Sequence, residues 1–96
     1  GAEKPELTAE AAEVMAAESV PGLVALFAEK IAAMETIEPA AVKTAIKACG
    51  KELGLKGAGL FMPLRIALTG SQHGPDIDKL AALMGKEIIL ARLAKE

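Results

Sequence analysis

A chain of 96 residues and 9.9 kDa has room for one small domain. Hydrophobic residues make up 52% of it, but 20 of them are alanine and only two residues are aromatic, which excludes the Val-, Ile- and Tyr-rich make-up of a sandwich or barrel. With 25% charged residues, a net charge of −2 and no apolar run near about 18 residues, neither a membrane span nor low-complexity disorder is expected.

Proline and glycine divide the chain into about six helical segments, with no internal repeat and no period-two alternation. Residues 1–6 read as a flexible lead-in or tag remnant, since the chain opens on Gly1 rather than Met, and without a charged-then-apolar signal a secreted protein is not expected. Residues 7–96 read as a single domain. Thr8 suits an N-cap for a first helix through about Ala17. The chain restarts at Ser19-Val20-Pro21, and Leu23, Leu26, Phe27, Ile31 and Met34 then share a helical face. Pro39 fits a first helical turn, and Val42, Ala45, Ile46, Cys49 and Leu53 follow with an amphipathic spacing that Gly54 closes as a left-handed cap.

The next segment is apolar and contains Pro63, so the proline rule predicts a helix over about 63–69, ended by Gly70. Ser71-Gln72-His73-Gly74 reads as a loop. Pro75 and Asp76 open a helix through about Met84, with Leu80, Leu83 and Met84 as its apolar face. After Gly85, a last helix turns Ile88, Ala91 and Leu93 to the core. The expected fold is an all-α bundle of about six short helices.

Charge is uneven along this chain. Residues 1–50 carry four Lys against eight Glu, and residues 51–96 carry seven Lys and Arg against five acids. Lys43, Lys47 and Lys51 recur at i, i+4 and i+8 and line one exposed strip, with Lys56 just beyond. Such a local basic surface suits selective contact with a polyanion, or it is a solvated helix face. A sequence pI near 5.5 argues against indiscriminate nucleic-acid coating.

Catalytic residues are not expected. One His and one Cys cannot supply a zinc site, and nothing places a nucleophile beside a base. Glu10 and Glu13 fall on an exposed helix, Cys49 on a core position, and the four methionines are scattered gap fillers. Lys56-Gly57 is not a P-loop. Gly54-Leu55-Lys56-Gly57 spells the GXXG of a KH clamp, but that fold needs a sheet. Arg65 is the unusual cation, set among apolar residues. Its guanidinium either offers a planar fork to bases and phosphates or pairs with Glu52 or Asp76. His73 reads as a solvated loop residue, while Pro75 and Ile77 either pack inside or give a base an apolar ledge.

The stretch Lys56-Gly57-Ala58-Gly59-Leu60-Phe61-Met62-Pro63-Leu64-Arg65-Ile66-Ala67-Leu68-Thr69-Gly70, followed by His73-Gly74-Pro75, resembles the C-terminal anticodon-binding region of bacterial glutamyl-tRNA synthetases. The later Leu83-Met84-Gly85-Lys86-Glu87 and Leu90-Ala91-Arg92-Leu93 are similar too, so the likeness covers about residues 53–93. It implies an all-α domain of the class I synthetase anticodon-binding type, a fragment of a larger enzyme that contacts the anticodon loop of tRNA(Glu). Other domains would attach the glutamate with ATP and Mg. The family's His-Ile-Gly-His and Lys-Met-Ser-Lys signatures are absent, so this chain alone is not expected to be an enzyme or to hold a cofactor or metal.

By the same resemblance, Arg65 matches an arginine that reaches anticodon nucleotides, and Gly74, Pro75 and Ile77 match the segment that receives a base; some members carry Thr at the position of Gly74. The helix dipole at Pro75 would favour a nearby phosphate. Lys43, Lys47, Lys51 and Lys56 are candidate phosphate contacts. Aromatic help is not expected, because Phe27 and Phe61 read as buried. The expected partners are tRNA(Glu) and the remaining synthetase domains, for a cytoplasmic monomer without membrane contact. The alternatives are a helical protein-interaction module and the related anticodon domain of a class I lysyl-tRNA synthetase; the His-Gly-Pro and Leu-Phe-Met-Pro-Leu-Arg spelling favours glutamate.

Overall fold

The computed structural model describes residues 3–94, which form six helices and, among those residues, no strand. In chain order they are α1 (Ala9–Met15), α2 (Val20–Ala32), α3 (Pro39–Leu53), α4 (Ala58–Thr69), α5 (Ile77–Met84) and α6 (Lys86–Leu93). The expected all-α bundle is therefore borne out. No single helix among the described residues is long and apolar enough to cross a membrane.

Local chemistry sets several helix ends. Thr8 accepts a hydrogen bond from the Ala11 backbone N–H at 3.1 Å, an N-cap worth about 1 kcal/mol. Pro39 opens α3 where no backbone donor is needed, and Gly54 closes it at φ 69°. Gly70 closes α4 in the same way, at φ 77°.

The core joins five helices. Leu23, Phe27 and Ile31 of α2 meet Val42, Ala45, Ile46 and Cys49 of α3. Leu60, Leu64 and Leu68 of α4, Ile77 and Ala81 of α5, and Ile89 and Leu93 of α6 complete the cluster. α1 packs against α4. A Lys30–Glu52 ion pair at 2.7 Å ties α2 to α3, and its hydrogen bond holds the Lys30 ammonium above its ordinary pKa. The Cα radius of gyration is 12.0 Å, close to the ~12.5 Å expected for a folded domain of this length.

Several helix starts and faces depart from the sequence expectations. α4 begins at Ala58, five residues before the predicted start, and carries Pro63 inside it. Gly57, at φ 57° and ψ −138°, turns the chain so that its carbonyl accepts from the Leu60 and Phe61 N–H groups, at 3.1 and 2.9 Å. Burial of Leu60, Pro63 and Leu64 then offsets the hydrogen bond that Pro63 cannot donate to Gly59.

In α5 the buried residues are Ile77 and Ala81, whereas Leu83 is 85% exposed and Leu80 and Met84 are half-buried. In α6, Ile89 and Leu93 are buried, and Ile88 and Ala91 only half-buried. Leu53 is exposed, because α3 runs past the edge of the core before Gly54 stops it.

Cys49 is fully buried, as its helical position predicts, and burial pushes its thiol above the ordinary range. A thiol pKa raised by folding adds stability below the unfolded value of about 8.5 and loses it as pH rises through the folded value. Native protein at pH 7.5 should therefore resist iodoacetamide, with labelling tracking unfolding across a urea titration. Stability should also decline above about pH 8.5. Native labelling at the rate of a free thiol would contradict this burial.

Candidate nucleic-acid interface

Phe61, Arg65 and Thr69 recur at i, i+4 and i+8 along α4 and so share one face. From that face Arg65 Nη1 donates to the Pro75 carbonyl at 2.7 Å, tying α4 to the loop that leads into α5. Neither acidic residue considered for Arg65 takes it. Glu52 pairs with Lys30, and Asp76 faces Lys79 at 3.8 Å.

The intervening loop is held by its own side chains. Thr69 Oγ1 donates to the Arg65 carbonyl at 2.8 Å and accepts from the Ser71 N–H at 3.1 Å. Ser71 Oγ accepts from the His73 N–H, also at 3.1 Å. Gly74 sits at φ 145°, and a Cβ there would stand 3.3 Å from Arg65 Nη1. A side chain such as that of Thr would thus demand a different backbone here.

An open cleft of about 190 Å³ lies where α3, α4 and the start of α5 meet. α3 contributes Lys43 and Ile46, and α4 contributes Phe61 and Arg65. Asp76, Ile77 and Asp78 close the third side. Ile46 and Ile77 are almost fully buried and form apolar floor, while the two cations and two carboxylates stand around it.

The structure therefore brings Arg65, Ile77 and Lys43 to one cleft, with Pro75 bonded to Arg65 at its edge. Lys47, Lys51 and Lys56 are exposed but lie outside its lining. Pro75 is exposed and lies before α5, whose N-cap is Asp76, so the helix opens two residues later than predicted. His73 is exposed in its loop, as expected.

Phe61 overturns an expectation. Phe27 is fully buried, but Phe61 is 41% exposed and lines the cleft beside Arg65. The missed signal is the four-residue spacing, which puts Phe61 on whatever face Arg65 occupies. Among the described residues, no group of three or more His, Cys, Asp and Glu could hold a metal ion.

The sequence matches the anticodon binding domain family over residues 2–96, and the chain belongs to that family. It is 51% identical over 86 residues to the glutamate–tRNA ligase of Bacillus mycoides, a match that covers 90% of this chain and 18% of that protein. It is 46% identical over 91 residues to the glutamate–tRNA ligase of Bacillus pumilus, covering 95% and 19%. A crystal structure of a glutamate tRNA ligase from Elizabethkingia meningosepticum, in complex with its amino acid, superposes with a TM-score of 0.83 at 26% identity. That match covers 95% of this chain and 18% of that one. The chain thus spans less than a fifth of the length of these relatives. The resemblance to glutamyl-tRNA synthetases is borne out, and the interaction-module and lysyl alternatives are not favoured.

Proposed function

We propose that this domain holds the anticodon loop of tRNA(Glu) at the α3–α4–α5 cleft, while other domains of a parent ligase attach the glutamate. The observation that carries this reading is the Arg65–Pro75 hydrogen bond at the mouth of that cleft, in a chain of the anticodon-binding family. It ties a guanidinium that lines the cleft to the loop beside it. With Nη1 engaged, the other donors of the five-donor fork remain for base edges or phosphate oxygens.

Lys43, Lys47, Lys51 and Lys56 would guide the RNA backbone by charge. Gly74, Pro75 and Ile77 would border the base. The domain itself takes no catalytic part in this reading. ATP and Mg would be held by the parent's catalytic domain in this reading. The parent would act in the cytoplasm, with this domain monomeric.

Titrating ¹⁵N-labelled domain with a glutamate-tRNA anticodon stem-loop, against a swapped-anticodon hairpin, tests this. Amide shifts should cluster at Arg65, Gly74, Asp76 and Ile77 and weaken with the swapped hairpin. Shifts confined to residues 43–51, equal for both hairpins, would reduce the interaction to nonspecific phosphate contact.

A further inference from the structure

We propose that Phe61 is the stacking platform for one unstacked nucleobase in this cleft. The proposal rests on the anticodon-loop reading and deepens it, adding an aromatic contact to the guanidinium. Three observations point the same way.

The first is position. Leu60, Leu64 and Leu68 bury the core face of α4, while Phe61 leaves 41% of its surface open on the Arg65 face. The second is shape. Ile46 and Ile77 are packed to 2% and 5% exposure, so of the three apolar lining residues only the Phe61 ring offers an extensive open surface.

The third is charge. Lys43 and Arg65 are opposed by Asp76 and Asp78 around one small opening. A phosphate entering there would meet two carboxylates as well as two cations. A neutral base presents donors and acceptors on its edge and can use both kinds of partner, with its π-face on the ring. Stacking of this kind tolerates any base, which leaves selectivity to the polar rim.

The protein supplies its own reporter, since the chain contains no Trp or Tyr and Phe61→Trp introduces the single indole. Its emission should be quenched by the anticodon stem-loop, saturating with the Kd read from the amide shifts. A loop-free duplex of the same stem should quench little, because its bases are already stacked. Phe61→Ala should raise Kd about fivefold to a hundredfold. Phe61→Leu, which restores apolar bulk without a ring, should recover only a small part of that loss. Cooperative melting of each variant checks the fold.

Full rescue by Phe61→Leu, or a Phe61→Trp variant that binds normally without quenching, would overturn the stacking role. If Phe61→Ala binds like wild type while Arg65→Ala does not, this proposal fails and the anticodon reading stands; Phe61 would then face another protein surface of the parent ligase. If neither substitution affects binding, or the hairpin does not bind at all, the anticodon reading fails and stacking falls with it.

Discussion

Arg65→Ala should lower affinity for the anticodon stem-loop about tenfold to a hundredfold, the weight of a hydrogen bond to a charged group. The melting temperature should drop by less than about 5 °C, because the intramolecular bond to the Pro75 carbonyl is exposed and contributes at the low end of hydrogen-bond energies. Binding and stability therefore separate at this residue. Arg65→Lys should fall between the two proteins in affinity. It keeps the charge but loses the planar fork that can hold Pro75 and RNA together. Parallel titrations and thermal melts of the three proteins decide the matter. Unchanged affinity in Arg65→Ala would remove Arg65 from the interface.

Gly50→Ala should destabilise the domain by about 2 kcal/mol and lower its melting temperature by about 8–16 °C. In an exposed helix interior the same change stabilises by up to about 1 kcal/mol, through helix propensity. Gly50 reverses the sign because a Cβ there would lie 2.7 Å from both the Leu55 carbonyl oxygen and Leu60 Cδ2. The leucine methyl can swing away. The carbonyl cannot readily follow, because the Leu55 N–H is bonded to the Gly50 carbonyl at 2.9 Å. Gly22→Ala is the matched control: Gly22 lies in α2 with nothing within 4 Å of its virtual Cβ, and the change should be neutral or stabilising. Melting both variants side by side tests the packing directly. Equal shifts would mean that Gly50 is not a contact point.

The sequence shows where helices begin and end more clearly than which way they face. Gly54 and Gly70 cap α3 and α4 because only a residue without a Cβ enters the left-handed region cheaply, and that preference is local. Thr8 and Pro39 are local in the same sense. α4 is longer than the proline rule predicts because that rule is also local, whereas the burial that keeps Pro63 inside the helix is tertiary. The faces of α5 and α6 differ from those that periodicity suggests. Each helix spans eight residues, little more than two turns, so several apolar pairs define equally good stripes. Only the packing partners choose Ile77 and Ala81 over Leu80 and Leu83.

Within the candidate site, Arg65 and the loop through Ile77 are legible through a family likeness rather than through periodicity. The carbonyl partner of Arg65 is not, since backbone acceptors leave no mark in a sequence. Phe61 is hidden by the assumption that aromatic residues lie inside, although its spacing from Arg65 holds the contrary information.

The side-chain-to-backbone bonds of Thr69, Ser71 and Arg65 bear on the timing of recognition. Each pins a stretch of the loop to α4 or to itself before any RNA arrives, so the loop's conformational entropy is lost during folding rather than at the encounter. If the anticodon loop docks here as proposed, association should need no slow closing step. In the proposed reading its rate should be set by diffusion and by attraction from the α3 lysines, and should fall as added salt screens them.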